Sequence, residues 1–258
     1  MLTALITGAS GGIGKAFAEE LAARSVNLVL VSRSEQKLNQ LAKQLREQYQ
    51  IQVDIIAKDL TDAGAAKVLY DTTQAKGLTI DLLINNAGFG DYGDFAERDG
   101  ERQVKMVQLN ILALVDITHT FLPEMRQRRS GSIINVSSLS AFQPIPYLSV
   151  YAASKAFILN FSQALWAENR SYGVRVLVVC PGPVETNFFT EANMPPALAG
   201  KTNKISTSQE VVQESLKALE KGESIVVVGG FSTHAITKLS PLVPRRILLN
   251  MLERQFRE

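Results

Sequence analysis

The chain begins with an apolar segment that leads directly into a glycine-rich turn and then into a helical pattern. Residues 2–6 read as a short buried strand, and apolar side chains recur at helical spacing at Ile13, Phe17 and Leu21. The turn itself, residues 7–14, reads Thr-Gly-Ala-Ser-Gly-Gly-Ile-Gly. Glycines let a backbone approach a pyrophosphate closely, and the helix N-terminus behind them offers free N–H groups to an anion. The pattern predicts a nucleotide-binding turn, with an ordinary tight strand–helix turn as the alternative.

Spacing within this turn separates two kinds of nucleotide site. A P-loop for nucleoside triphosphates requires Gly at position 9 and Ser or Thr at position 16, whereas this chain has Ala9 and Ala16. Gly8, Gly12 and Gly14 instead follow the order Thr-Gly-x-x-x-Gly-x-Gly. The dinucleotide-binding interpretation is therefore the one that remains.

Strand and helix patterns alternate along the rest of the chain, which indicates an α/β fold. Further strand-like apolar runs occupy residues 27–31, 51–57, 81–84, 132–136, 174–179 and 225–228, with helical patterns between most of them. We predict a single domain on one doubly wound, mostly parallel sheet of seven strands, with helices on both faces. Its ligand should bind at the carboxyl ends of the strands.

Composition restricts the partners and the compartment. A hydrophobic content of 46% in 258 residues is ordinary for a soluble globular protein, and a net charge of +2 gives no reason to expect nucleic acid as a partner. The single cysteine, Cys180, excludes an internal disulfide and a cysteine-based metal cluster, and we expect it to pack inside; we predict no metal site. The start of the sequence is not that of a signal peptide, and no apolar run approaches the roughly 20 residues that cross a bilayer. We expect a cytoplasmic protein.

The end of the second strand predicts which dinucleotide is bound. In dinucleotide-binding folds, an acidic residue at this point accepts a hydrogen bond from the adenosine ribose 2′-hydroxyl. This chain has Ser32 and Arg33 there, a hydroxyl and a cationic fork that suit a phosphate. We expect NADPH to be preferred over NADH; the alternative is that Arg33 is only a solvated loop residue.

Polar residues also follow the third and fourth strands. Asp59, next to Leu60, is placed either to accept a hydrogen bond from an adenine amino group or to cap a helix that begins near Asp62, and the spacing does not separate these roles. The fourth strand ends in Asn-Asn-Ala-Gly, residues 85–88. Both segments belong to the sheet edge where the glycine turn lies.

A tyrosine and a lysine four residues apart, Tyr151 and Lys155, occur in a helical pattern and therefore project from one helix face. A nearby cation favours the phenolate and lowers the pKa of a tyrosine toward the working pH, where acid–base catalysis is efficient. Such pairs are also common on helix surfaces. Ser137 and Ser138 follow the fifth strand, and Asn110 lies among apolar residues of a long helical stretch, where an asparagine usually has a structural role.

These pieces resemble the short-chain dehydrogenase/reductase superfamily over residues 1–230, through the glycine turn, residues 85–88, Pro181-Gly182 and the polar residues just described. The resemblance implies a Rossmann-type fold, a nicotinamide cofactor and a catalytic tetrad of Asn110, Ser138, Tyr151 and Lys155. Ser138 would polarise the substrate oxygen and Tyr151 would donate its proton. Lys155 would hold the nicotinamide ribose and lower the pKa of Tyr151, and Asn110 would anchor a water that relays protons.

The resemblance also implies which residues surround the cofactor. Val184 and Thr186 would lie near the nicotinamide carboxamide, and Asp59 and Leu60 near the adenine. With Tyr151 and Lys155, the implied set is Gly8, Ser10, Gly12, Ile13, Gly14, Ser32, Arg33, Asp59, Leu60, Asn86, Ala87, Gly88, Pro181, Gly182, Val184 and Thr186.

Apolar residues flank the catalytic pieces, and the loop from Asn187 to Ser206 is apolar enough to suggest a lid over an apolar substrate. We expect NADPH-dependent reduction of the carbonyl of a small, apolar ketone, aldehyde or 3-oxoacyl substrate, with Tyr151 as proton donor. A sensor or scaffold that binds the cofactor without turnover is the alternative, against which the complete tetrad argues. Core packing explains some of the flanking residues, which are Phe89, Tyr92, Phe95, Phe142, Ile145, Tyr147, Phe188 and Phe189.

Residues 231–258 form a C-terminal extension on which the resemblance says little. Pro244 is placed for the first turn of a helix whose apolar stripe is Ile247, Leu248, Met251, Leu252 and Phe256. We expect this stripe to pack on the same domain or on a partner subunit, in preference to peripheral contact with a membrane. The apolar load of the helix after Tyr151 likewise predicts a homodimer or homotetramer.

Overall fold

The computed structural model describes residues 2–195, 198 and 205–257, and its seven strands form one sheet. Neighbouring strands are parallel throughout, in the order β3-β2-β1-β4-β5-β6-β7. The order reverses between β1 and β4, which creates the crevice where ligands bind in folds of this kind. The predicted α/β fold is confirmed. The strands are β1 Thr3–Thr7, β2 Asn27–Ser32, β3 Val53–Ala57, β4 Leu82–Asn85, β5 Gly131–Val136, β6 Val174–Pro181 and β7 Ile225–Val228.

Helices cover both faces of the sheet. Side chains alternate along β1, so that Ala4 and Ile6 join one core cluster with residues of α1, α2 and α8, while Leu5 joins the opposite cluster with residues of α3, α5 and α6. Both faces are apolar because both are buried. The described α-helices are α1 Gly12–Ala23, α2 Glu35–Tyr49, α3 Ala65–Ala75, α4 Gly100–Val107, α5 Leu114–Gln127, α6 Ser149–Asn169, α7 Phe188–Glu191, α8 Ser208–Glu220, α9 Phe231–Leu239 and α10 Arg245–Phe256.

One helical run corrects an expectation from the sequence. A π-helical segment, Gln108–Ala113, joins α4 to α5, and the continuous helix Gly100–Gln127 is long and apolar enough to cross a membrane by length and composition alone. Its residues Ile117, Phe121 and Met125 are buried in the core cluster that covers one face of the sheet. One face of the run therefore packs in the core, whereas Val104 and Leu112 are each 58% exposed.

The C-terminal helix α10 packs against its own chain through three of the five residues of its apolar stripe. Leu248 and Leu252 are only 7% and 5% exposed, and Phe256 packs on the apolar cluster around Tyr92. The Tyr92 hydroxyl donates a hydrogen bond to the Phe256 carbonyl oxygen at 2.5 Å. Ile247 and Met251, the rest of the stripe, are 54% and 62% exposed. The stripe is thus divided between the domain and the surface.

Candidate active site

The glycine turn is held by contacts that leave no room for a side chain at Gly8 or Gly14. Gly8 has a φ of +66°, and a Cβ on Gly14 would lie 2.3 Å from the Gly8 carbonyl oxygen. Asn86 donates from its side chain to the carbonyl oxygens of Thr7 (3.0 Å) and Gly8 (3.3 Å). The Thr7 hydroxyl accepts from the backbone N–H groups of Asn86 and Ala87. The Asn-Ala pair therefore locks the ends of β1 and β4 together beneath the turn.

The edge of the sheet fits the phosphates and the ribose of a dinucleotide. No side chain caps the N-terminus of α1, where Gly11 is the N-cap residue, and Gly12 approaches the side chain of Thr186 so closely that a Cβ would lie 3.2 Å from its methyl group. At the end of β2, the buried hydroxyl of Ser32 has no hydrogen-bond partner among the described residues. Buried hydroxyls are almost always paired, so this one is suited to a group that the cofactor brings.

Asp59 closes a turn and does not cap a helix. Its carboxylate accepts from the Thr61 backbone N–H at 2.9 Å and from the Thr61 hydroxyl at 2.8 Å. Helix α3 begins only at Ala65, with Gly64 as its N-cap residue, which corrects the capping alternative. Burial would raise the pKa of Asp59, but the bonds from Thr61 and the nearby charge of Arg33 outweigh burial and lower it. The exposed Arg33 therefore lies close enough to Asp59 to act on its charge.

The other residues implied around the cofactor lie in three places. Ser10 and Ile13 are half-buried in the glycine turn and the first turn of α1, whereas Leu60 is 7% exposed within the core. Pro181 ends β6, and the Gly182 N–H donates to the carbonyl oxygen at the end of β7 at 2.8 Å. Val184 forms an isolated parallel bridge with the residue that closes the lid loop. The ends of that loop are therefore fixed beside the sheet edge.

Tyr151 and Lys155 are both buried in α6, at 8% and 5% exposure. The Lys155 ammonium donates to the Val136 carbonyl oxygen at 3.0 Å and lies 5.6 Å from the centroid of the Tyr151 ring. Burial raises the pKa of Tyr151 to about 12 and lowers the pKa of Lys155 to about 8. The net shift of the Tyr151 pKa is therefore upward, against the expected lowering, because withdrawal from water outweighs the effect of Ser138. That Lys155 lowers the pKa of Tyr151 stays a prediction.

The two serines after β5 act on different parts of the site. Ser138 is the N-cap residue of a short 3₁₀ helix, Leu139–Phe142, and its hydroxyl accepts from the Ser140 N–H at 3.1 Å. Its hydrogen bond with Tyr151 offsets part of the rise in the pKa of the phenol. Ser137 donates its hydroxyl hydrogen bond to the Lys155 carbonyl oxygen at 2.7 Å and so ties α6 to the sheet. Sequence reasoning assigned Ser137 no separate role.

Asn110 lies in the π-helical segment and is 1% exposed. Its side-chain amide donates to the Phe89 carbonyl oxygen at 3.0 Å and to the Ser154 hydroxyl at 3.1 Å, and its oxygen accepts from the Phe89 N–H at 3.1 Å. A Cβ on Gly88 would lie 2.9 Å from that oxygen and 3.5 Å from the Lys155 ammonium. The asparagine thus has a structural role beside the lysine, while a water relay through it stays a prediction. No sequence signal pointed to Ser154.

Apolar side chains pack around the phenol. The Phe188 ring of α7 lies 5.1 Å from the Tyr151 ring, centroid to centroid. Two residues predicted to flank the site lie elsewhere: Phe95 is 64% exposed, and Phe142 packs with a different cluster, behind α6. The predicted loop contains the short helix α7, while Pro196 and residues 200–202 lie outside the described residues. The pocket cluster comprises Tyr92, Met106, Ile145, Leu148, Tyr151, Ala152 and Leu198, with Phe89, Tyr147, Val150, Phe188, Met194 and Phe256 packed against it.

Cys180 lies near the carboxyl end of β6, beside the edge strand β7. It is fully buried, as expected, and burial raises the pKa of its thiol to about 12. A neutral thiol at this position packs as a small apolar group. Among the described residues, no cluster of His, Cys, Asp or Glu is arranged to hold a metal ion.

Comparisons with known proteins agree with this geometry. A family model described as short chain dehydrogenase matches residues 2–196. The chain is 34% identical to a very-long-chain 3-oxoacyl-CoA reductase of Macaca fascicularis over 96% of its own length and 78% of that protein. It is also 34% identical to a 17-beta-hydroxysteroid dehydrogenase type 3 of Rattus norvegicus, over 98% and 80% of the two chains. Against several other very-long-chain 3-oxoacyl-CoA reductases, the match spans only 60% of their length. A solved short-chain dehydrogenase from Sphingobium yanoikuyae, in complex with NADPH, has a TM-score of 0.84 and 30% identity over 96% of this chain and 95% of that one.

Proposed function

The chain belongs to the short-chain dehydrogenase family of NAD(P)-dependent oxidoreductases, and from this premise we propose that it is an NADPH-preferring reductase of bulky apolar carbonyl compounds, among them 3-oxoacyl thioesters. The observation that carries the proposal is the position of the buried Tyr151 phenol. It lies near Ser138, which offsets part of the rise in its pKa, and its ring is 5.1 Å from the Phe188 ring, centroid to centroid. A carbonyl compound that reaches this phenol would lie against the apolar side chains packed around it.

The chain's own residues supply the proton and orient the carbonyl. When bound, the nicotinamide cofactor carries the hydride. A pKa of about 12 keeps the Tyr151 phenol protonated at neutral pH, so that it can donate to a substrate oxygen as negative charge develops there. The Ser138 hydroxyl donates a second hydrogen bond to that oxygen. A pKa of about 8 leaves Lys155 largely protonated at pH 7, which allows its ammonium to donate to ribose hydroxyls.

The NADPH preference is supported by the groups at the end of β2. The Ser32 hydroxyl, which has no hydrogen-bond partner among the described residues, and the exposed Arg33 lie there, with no acidic residue directly beside them in the sequence. A 2′-phosphate gains from the charge of Arg33, whereas the 2′-hydroxyl of NADH does not.

The substrate class is supported by the pocket and by the names of the relatives. The pocket cluster is mainly aromatic and aliphatic, which matches acyl chains and steroid-like ketones better than sugars. One relative is named as a 3-oxoacyl-CoA reductase and another as a hydroxysteroid dehydrogenase. Both names describe carbonyl or alcohol chemistry on large apolar molecules.

A substrate panel tests the proposal. Purified protein is mixed with NADPH or NADH and with ketones, aldehydes, 3-oxosteroids and 3-oxoacyl-CoA esters of increasing chain length, and loss of the cofactor absorbance is followed. Turnover that is faster with NADPH and that rises with apolar size supports the proposal. Tight cofactor binding without turnover of any carbonyl or alcohol in the panel would favour a protein that binds the cofactor without catalysis.

We also propose a homo-oligomer that pairs through α6. Phe157 is 41% exposed and stacks on Phe161 at 5.7 Å between ring centroids. Leu112, in the π-helical segment, is 58% exposed. Exposed aromatic and aliphatic side chains of this size are typical of subunit interfaces. Sedimentation of the wild type and of Phe157→Asp decides this, since the variant should have a smaller mass if the surface is an interface.

A further inference from the structure

Asp91 is a buried carboxylate outside the catalytic tetrad, and its side chain has no exposed surface. Arg98 donates to both of its oxygens, at 2.9 and 2.7 Å, and Arg102 donates from Nε at 3.0 Å. Gln103 adds a bond of 2.7 Å and Asn193 one of 3.2 Å. Burying an ionised carboxylate is costly unless donors surround it, and here five bonds do so.

Two of these donors connect α4 to the lid segment, which we define as residues 188–195. Asn193 belongs to the lid segment itself, and Arg102 of α4 also donates to the Glu191 carbonyl oxygen at 2.7 Å. The Tyr92 N–H, next to Asp91, donates to the Ala192 carbonyl oxygen at 2.8 Å. Three consecutive lid residues are therefore bound to residues 91–102.

The same contacts determine where Phe188 lies. Gly90 is so close to Phe188 that a Cβ at position 90 would lie 2.8 Å from the ring. On its other side, the Phe188 ring approaches the Tyr151 ring at 5.1 Å. The lid segment is thus held in place at residues 191–193, and its first residue, Phe188, lies against the phenol.

We propose that Asp91 is a positioning residue that fixes the lid segment, through Arg102 and Asn193, so that Phe188 closes the apolar pocket above Tyr151. Its effect on substrates rests on the proposed reductase function, whereas its effect on the lid segment does not. Burial would raise the pKa of Asp91, but the bonds from Arg98, Arg102 and Asn193 outweigh it and lower the pKa, so the carboxylate is charged at neutral pH.

Two variants and a control separate this role from general stability. Asp91→Asn removes the negative charge at the centre of this hydrogen-bond network. Asn193→Asp keeps the size of the lid side chain and suits its left-handed backbone (φ +54°), but it places a second carboxylate against Asp91. Asp94→Asn is the matched control, because Asp94 is exposed and only closes a local turn with the Ala96 N–H.

Hydrogen exchange measures the lid segment directly, without a substrate. The N–H groups of Ala192 and Met194 are bonded to the carbonyl oxygens of Phe188 and Phe189. In Asp91→Asn and in Asn193→Asp these amides should exchange about tenfold faster or more, because the segment opens locally, while the central strands and the Asp94→Asn control keep wild-type exchange. Wild-type exchange of the lid amides in both variants would overturn the proposal.

Kinetics then test the consequence for the substrate. For a bulky apolar carbonyl, KM should rise about tenfold or more with a smaller fall in kcat. The reason is that a displaced Phe188 no longer closes the pocket over the substrate, which weakens substrate binding. For a small aldehyde KM should change little, and NADPH affinity should match the wild type. An equal loss for both substrates would contradict the positioning role. If Asp91→Asn does not fold, the exchange and kinetics of Asn193→Asp alone test the proposal. If the wild type reduces no carbonyl, hydrogen exchange still tests the effect of Asp91 on the lid segment.

Discussion

The ammonium nitrogen of Lys155 lies 5.6 Å from the centre of the Tyr151 ring, and burial drives both groups toward their neutral forms. The pKa of the phenol is raised to about 12 and that of the ammonium is lowered to about 8. At neutral pH the pair is therefore a protonated phenol beside a lysine that has kept most of its charge. This is the state that a reductase needs at the start of a turnover.

Replacement of the phenol tests the proton donor. Tyr151→Phe should abolish carbonyl reduction while NADPH affinity stays close to wild type, because the hydroxyl points to the substrate and contributes little to cofactor binding. Lys155→Ala should weaken both. Turnover and fluorescence titration of NADPH measure the two effects. Retention of more than a few per cent of turnover in Tyr151→Phe on a good substrate would exclude this phenol as the donor.

The lowered pKa of Lys155 predicts a dependence of stability on pH. Its pKa rises from about 8 in the folded chain to 10.5 when unfolded, so the unfolded state binds more protons between these values and stability increases with pH in that window. Relative to Lys155→Met, the wild type should gain about 1 kcal/mol of unfolding free energy between pH 7 and pH 9.

Denaturant unfolding of the wild type and of Lys155→Met at the two pH values measures this difference. Lys43→Met, at a side chain that is 77% exposed, is the control for the loss of a lysine as such. A gap between the wild type and Lys155→Met that is the same at both pH values would show that burial does not shift the ionisation of Lys155.

The glycine turn offers a matched pair of substitutions. Gly14→Ala would place a Cβ 2.3 Å from the Gly8 carbonyl oxygen, so the turn must move, and NADPH binding should fall at least tenfold together with a lower Tm. At Gly11 a Cβ meets nothing within 4 Å, and its φ of −174° suits any residue. Gly11→Ala should therefore fold normally. Equal Tm values for the two variants would contradict the packing described for Gly14.

Cofactor choice should depend on the end of β2. Arg33→Ala should weaken NADPH binding by one to two decades and leave NADH nearly unchanged, since a lost charge-assisted contact costs about 1.5–3 kcal/mol. Ser32→Asp should reverse the preference, because a carboxylate there accepts from the 2′-hydroxyl and repels a 2′-phosphate. Fluorescence titration of both cofactors measures this. Unchanged NADPH affinity in Arg33→Ala would contradict the role of Arg33 in binding the 2′-phosphate.

Neighbouring residues of α10 test its packing on the domain. Leu252 is 5% exposed, and Leu252→Ala should cost about 2–5 kcal/mol of stability, whereas Met251→Ala, at 62% exposure, should change it little. Thermal unfolding of both variants compares them. Truncation after Gly230 should likewise lower the Tm. If Leu252→Ala and Met251→Ala unfold at the same temperature, α10 does not pack on the domain in solution.

Local patterns were enough to predict the fold and the placement of Tyr151 and Lys155 on one helix. The strand–glycine turn–helix at the start of the chain depends on backbone conformations that only glycine reaches easily, so residues 7–14 reveal it without knowledge of the rest. The spacing of Tyr151 and Lys155 likewise follows from the geometry of one helix. The alternation of apolar runs then determined one parallel sheet, because both of its faces must be covered.

Quantities that depend on packing between distant segments were decided only by the tertiary structure. The direction of the Tyr151 pKa shift depends on how deeply the folded chain buries the ring, and the lowering expected from the sequence is not what burial produces. The network around Asp91 joins residues 102 positions apart, and the division of the α10 stripe between core and surface depends on Tyr92. Burial and charge pairing act through space, and the sequence specifies them only once the chain has folded.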